Sequence, residues 1–133
     1  MGVRFPLGVL MKKIYYNKLI RDKVPQKMEL KGCQFKIKKL NRTEFEKELL
    51  KKVSEEAGGL LTVNGKKELI SELADVLDVV DEIKKFKKIT NKQITAAQKE
   101  NFEKKGGFIK RIFLYWSADD GYKTNEKKFR KPM

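Results

Sequence analysis

The carboxylates Glu55, Glu56, Glu72 and Asp75 sit among leucines and valines in the stretch VSEEAGGLLTVNGKKELISELADVL, residues 53–77. An unpaired carboxylate inside an apolar stripe is costly, so something must compensate for these acids. At about 100° per residue, Glu56 falls between Phe45 and Leu49 on the apolar arc of one amphipathic helix. On the next helix Glu72 falls close to Val79 and Ile83, and Asp75 borders the same arc. Asp78, Asp81 and Glu82 point the other way and read as solvated acids. If the two helices pack antiparallel through their stripes, Glu56 meets the Glu72/Asp75 pair. Three close carboxylates repel unless a cation holds them, and oxygen-only donors suit Mg²⁺ or Mn²⁺ rather than zinc. The alternative is that the acids form charged shoulders whose side chains reach out to water.

Other chemistries are excluded by what the chain lacks. It has no histidine, which removes Ser-His-Asp catalysis, imidazole general bases and the usual zinc sites. Its single cysteine, Cys33, rules out an intrachain disulfide, fits a reducing cytoplasm and has no imidazole to activate it. Catalysis would therefore run on carboxylates, lysines or a hard metal. Lys and Arg number 32 against 18 Asp and Glu, a net charge of +14 that favours polyanionic partners: nucleotides, nucleic acid or acidic membrane. Candidate phosphate-binding cations are Lys18, Arg21 and Lys23 in YNKLIRDKVP, and Lys110 and Arg111 after the Gly106-Gly107 turn. Each can equally be a solvated surface charge.

These residues need elements to position them. At 133 residues the chain is most economically one domain. YNKLIRDKVPQKMELKG predicts a short helix with Pro25 in its first turn and Gly32 as its stop. CQFKIKKL alternates Cys33, Phe35 and Ile37 with polar residues, a half-buried strand pattern. A helix follows, with Thr43 and Glu46 as its capping box and Phe45, Leu49, Leu50, Val53, Ala57 and Leu60 as its apolar positions. After the Asn64-Gly65 turn signal, a second long helix runs from Glu68 to about Lys85. A third, about Asn91 to Lys105, has Thr90 and Gln93 as its box and Gly106 as its terminator. FIKRIFLYW reads as a second strand able to pair with the first. Residues 1–11 read as an amino-terminal extension, with Met11 as a second start, and 117–133 as a basic polar tail. No stretch has a signal-peptide layout or bilayer length.

Glu55-Glu56 followed by Glu72-Leu-Ala-Asp75 resembles the E-E-x-x-E and E-x-x-D signature of the MazG-like all-α nucleotide pyrophosphohydrolases. YNKLIRDKVP and EKKGGFIKRIFL resemble the two ends of the short, stand-alone phosphoribosyl-ATP pyrophosphohydrolase-like proteins of that superfamily. The resemblance spans about residues 12–116. It implies a mainly α fold: a helical bundle completed by oligomerisation, as a homodimer or higher homo-oligomer, with a small two-stranded β element. It also implies Mg²⁺ at the acidic motif and the reaction NTP + H₂O → NMP + PPi, a house-cleaning role toward standard or modified nucleotides. Glu56, Glu72 and Asp75 match metal-ligating positions, and Glu55 matches the motif glutamate that holds a ligand or orients water. The third glutamate of E-E-x-x-E falls at position 59, where this chain has Gly59, which leaves an open coordination position.

The expected mechanism follows from charge. A triphosphate brings about four negative charges into a carboxylate cluster, so a divalent metal is needed both to dock it and to polarise the attacked phosphorus. Glu55 or Glu56 takes the proton of the attacking water, and lysines neutralise the departing pyrophosphate. A catalytically weak or inactive relative that still binds nucleotide or metal is the alternative that Gly59 motivates. A basic nucleic-acid-binding module is less favoured, because no recognition motif accompanies the charge. The expected site is cytoplasmic, with no membrane partner.

Overall fold

The computed structural model describes residues 12–118, and the chain divides into two compact units, Met1–Ile94 and Thr95–Met133. It is mainly helical: α1 spans Val24–Leu30, α2 Arg42–Gly59, α3 Lys66–Lys87 and α4 Asn91–Lys105. None of these helices is long and apolar enough to cross a membrane. The amino-terminal extension, and the basic tail from residue 119 onward, lie outside the described residues.

Local chemistry explains where each helix begins and ends. Pro25 occupies the first turn of α1, where its missing N–H is no loss. Gly32 closes the helix at φ 69°, a left-handed conformation that a Cβ would strain. At the start of α2 the capping box is Asn41/Glu44, two residues earlier than Thr43/Glu46. Asn41 Oδ1 accepts from the Glu44 N–H at 2.9 Å, and Glu44 Oε1 accepts from the Asn41 N–H at 3.2 Å. Both pairs have the required spacing; asparagine fills the N-cap well, and Lys38 Nζ adds a bond to Glu44 at 2.9 Å. Lys38 first, then the Asn41 N–H, holds the Glu44 carboxyl below its usual range.

A single 3-10 turn, Leu60–Thr62, continues α2 into the loop. Gly65 then turns the chain at φ 89° directly before α3. Lys84, Lys85 and Lys87 crowd the last turn of α3, where the helix dipole favours cations, and Lys88 ends it in a left-handed conformation. The capping box of α4 is the expected one: the Thr90 N–H donates to Gln93 Oε1 at 2.9 Å, and the Gln93 N–H donates to Thr90 Oγ1 at 3.1 Å. Gly106, at φ 77°, ends that helix.

Helices α2 and α3 pack against each other as an antiparallel hairpin. At one end Phe45 meets Phe86 edge-on, with ring centroids 5.3 Å apart, and Lys87 Nζ lies 2.6 Å from Glu46. At the other end Gly59 faces Glu72. Leu49, 5% exposed, is the buried hydrophobic residue of the seam, flanked by half-buried Val53, Ala57, Val76, Val80 and Ile83. Leu69, Ile70, Leu73 and Leu77 recur at helical spacing along α3 but remain exposed, as does Leu50 on α2. The hairpin therefore covers only part of its apolar surface.

Neither expected strand is present among the described residues. CQFKIKKL runs without secondary structure, and Cys33 is exposed. FIKRIFLYW opens with a turn: the Arg111 N–H donates to the Phe108 carbonyl at 3.1 Å, and Arg111 is left-handed at φ 54°. That conformation interrupts the extended run a strand requires. Alternation marks a chain that can form a half-buried strand, but the strand exists only where a partner completes its backbone hydrogen bonds.

Candidate metal centre

The antiparallel hairpin sets the site. Glu56, one turn from the carboxyl end of α2, and Glu72 with Asp75, one turn apart on α3, each offer a carboxylate oxygen within 4.8 Å of the others. All three are half-buried, and the Glu56 side chain is only 20% exposed. Helical periodicity places two of these acids, Glu56 and Glu72, inside apolar stripes and Asp75 at the border of one.

Cations offset part of this negative charge, at Glu56 and Asp75. Lys52, whose side chain is 14% exposed, lies 3.4 Å from Glu56 and 3.2 Å from Glu55 on its own helix. Lys18 Nζ donates to Glu55 Oε1 at 2.6 Å, and Arg21 Nη2 donates to Asp75 Oδ1 at 2.9 Å and to Asp78 Oδ2 at 2.8 Å. The segment before α1 thus lays one cation on α2 and one on α3. Half-exposed pairs of this kind are worth about 0–1 kcal/mol each.

These contacts shift the proton affinities in consistent directions. Burial pushes the Glu55 carboxyl up, but the hydrogen bonds from Lys18 and Lys52 outweigh it and hold the group below its ordinary value. The Glu55 carboxylate, with smaller help from Glu56, raises the Lys18 ammonium. Arg21 is raised chiefly by its bond to Asp78, then by Asp75.

Gly59 has its explanation here. Its backbone is ordinary helix, φ −61° and ψ −24°, so no conformational demand calls for glycine. A Cβ at this position would stand 2.6 Å from Glu72 Oε2 and 3.3 Å from Glu72 Cδ, whereas one at Gly58 would meet nothing within 4 Å. The space beside Gly59 is taken by the Glu72 carboxylate, which leans across from α3.

Of the expected site residues, the structure gathers Glu55, Glu56, Glu72, Asp75, Lys18 and Arg21. Lys23 is exposed at the start of α1 and makes no ion pair among the described residues. Lys110 and Arg111 are exposed in the second unit. Two participants were not singled out from the sequence. Lys52 was signalled by its i, i+3 and i, i+4 spacing to Glu55 and Glu56. Asp78, which the helix wheel places with the solvated acids, accepts from Arg21; no sequence signal pairs it with a residue so distant in the chain. Beside the cluster lies a cleft of about 440 Å³, lined by Tyr15, Tyr16, Lys18, Lys51, Lys52 and Glu55 among others.

Comparison of the chain with protein-family models, with curated proteins and with solved structures gives no match.

Proposed function

We propose that the protein is a Mg²⁺- or Mn²⁺-dependent nucleoside triphosphate pyrophosphohydrolase of the MazG-like type, releasing NMP and pyrophosphate. The observation that carries this proposal is the meeting of Glu56, Glu72 and Asp75 from two helices within 4.8 Å. An all-oxygen donor set, half-buried and anionic, fits a hard divalent cation. The order of the acidic motifs along the chain supports the same assignment.

Glu56, Glu72 and Asp75 would hold the ion. When bound, Mg²⁺ supplies charge neutralisation for the triphosphate and polarisation of the attacked α-phosphorus. Glu55 or Glu56 would accept the proton of the attacking water. While Lys18 and Lys52 hold Glu55 ionised below its ordinary range, it is the poorer base and serves better to orient water. Lys18 and Arg21, brought to the site by the segment before α1, neutralise the departing pyrophosphate.

The uncovered apolar positions Leu69, Ile70, Leu73 and Leu77 support a homodimer or higher homo-oligomer in which a second copy completes the helical bundle. A second function is favoured by Gly59: a weak or inactive relative that retains metal and nucleotide binding, since the site has one acid fewer than the full motif. Anion-exchange chromatography of the products from a panel of standard and modified NTPs separates the two. NMP with pyrophosphate is expected; saturable binding without turnover on every nucleotide would favour the second function.

A further inference from the structure

We infer that Arg21 is a positioning residue that competes with the metal ion for Asp75, so that the metal must displace it from that carboxylate before the Arg21 guanidinium can turn toward phosphate. This rests on the metal site proposed above and specifies how that site is regulated.

Three observations carry it. First, Asp75 serves two roles at once: one of its oxygens lies within 4.8 Å of donors from Glu56 and Glu72, and its Oδ1 accepts from Arg21 Nη2 at 2.9 Å. A guanidinium this close to the donor set repels a divalent ion by Coulomb's law and lowers the electron density on the carboxylate. Second, Arg21 has a second anchor outside the acid triad, Asp78, 2.8 Å from the same nitrogen. Asp78 stands one helical turn beyond Asp75 on α3, so Arg21 can release Asp75 without leaving the helix. Third, every cation of the segment that reaches the site is already neutralised there: Lys18 is held by Glu55 at 2.6 Å and Arg21 by the two aspartates. Neither offers a free charge to a triphosphate in this arrangement.

The consequence is an order of events. With Asp75 holding a divalent ion, Arg21 would keep Asp78 alone, which would turn guanidinium N–H donors toward the site. An incoming triphosphate would then meet a metal and a guanidinium held by one aspartate instead of two, where the metal-free protein offers only closed ion pairs. The bonds involved are half-exposed and individually weak, so the exchange needs no unfolding of the hairpin.

The test is Mn²⁺ titration of the full-length metal-free protein, reading free Mn²⁺ by electron paramagnetic resonance. Arg21→Gln is compared with the parent, with Lys27→Gln as a matched charge loss on exposed α1, and with Glu72→Gln as a loss of ligand. Arg21→Gln should tighten Mn²⁺ binding at least threefold beyond Lys27→Gln, while Glu72→Gln weakens it at least tenfold. Binding in Arg21→Gln where the parent shows none would also support the competition. Equal affinity in Arg21→Gln and Lys27→Gln, or weaker binding in Arg21→Gln, with Glu72→Gln still impaired, overturns the role of Arg21 and leaves the metal site standing. No Mn²⁺ binding in either the parent or Arg21→Gln removes the metal site and the competition with it. Should Arg21→Gln fail to fold, Arg21→Lys carries the test. It keeps the charge on a side chain one bond shorter than the path to Nη2, the nitrogen that reaches both aspartates, so its affinity should exceed the parent's; affinity equal to or below the parent's overturns the competition.

Discussion

The carboxylate of Glu72 occupies the space in which a side chain at residue 59 would begin: a Cβ on Gly59 would stand 2.6 Å from Glu72 Oε2. The contact joins the end of α2 to the start of α3 at the point where the acid cluster forms. It predicts opposite signs for two properties of one variant. Gly59→Ala should raise metal-free stability by up to about 1 kcal/mol, because alanine suits a helix better than glycine and a flexible carboxylate can swing aside. The same swing takes Glu72 from the cluster, so the gain in melting temperature on adding millimolar Mn²⁺ should shrink by at least half. Paired thermal scans read both, and an unchanged metal-induced gain would show that Glu72 does not bind where it now lies.

The Lys18–Glu55 pair predicts a pH window for docking of the amino-terminal segment. Glu55 is depressed in the folded protein, so its contribution is present above its unfolded value near 4.5 and is lost as pH falls through the lower folded value. Lys18 is raised, so its contribution is full below 10.5 and is lost as pH rises through the higher folded value. A double-mutant cycle of Lys18→Met and Glu55→Gln, followed by urea unfolding, should give a coupling below about 1 kcal/mol at pH 7 that falls away as Glu55 is protonated in acid. Coupling that stays undiminished on acidification would contradict the assignment.

At the other end of the hairpin, aromatic packing should outweigh charge. Phe86 meets Phe45 edge-on and carries the Arg42 guanidinium 4.5 Å from its ring centroid. Being half-buried, it should cost about 2–3 kcal/mol when changed to alanine, below the range for a fully buried phenylalanine. Lys87→Ala, which breaks the 2.6 Å pair with Glu46, should cost no more than about 1 kcal/mol. Denaturant midpoints compare them, and the reverse ranking would mean that the ion pair holds the helix ends together.

The exposed row on α3 predicts self-association. Leu73→Asp with Leu77→Asp should weaken it at least tenfold, because an interface that buries these leucines would have to bury unpaired charges instead. Sedimentation velocity at micromolar concentration is the check. A parent protein that sediments as a stable monomer would contradict the bundle assembled from copies.

Much of the site was legible because helical periodicity is a strong signal over long segments. Residues 45–83 carry enough apolar positions to orient both helices, and acids inside an apolar arc must meet something at the seam. The capping motif Thr90-x-x-Gln93 was equally clear, being local. At α2, Asn41-x-x-Glu44 and Thr43-x-x-Glu46 both satisfy the pattern, and the choice turned on the better cap and on Lys38, which no spacing rule weighs. The strands failed for a different reason: Phe35 and Ile37 alternate, but alternation cannot supply a hydrogen-bonding partner, and Arg111 turns the second segment. The contact of Gly59 with Glu72 and the pairing of Asp78 with Arg21 depend on how separate segments approach one another, which no single segment encodes.

The central claim is that Glu56, Glu72 and Asp75 form a metal site serving α-phosphate hydrolysis, and product identity tests it most directly. Purified parent and Glu72→Gln are incubated with Mg²⁺ and each of a panel of NTPs, and the products are resolved by chromatography that separates NMP from NDP. The parent should release NMP and pyrophosphate from at least one nucleotide, and Glu72→Gln should be slower by at least a hundredfold, about 2.7 kcal/mol of barrier. NDP with orthophosphate as the product, or equal rates in the two proteins, would contradict the claim.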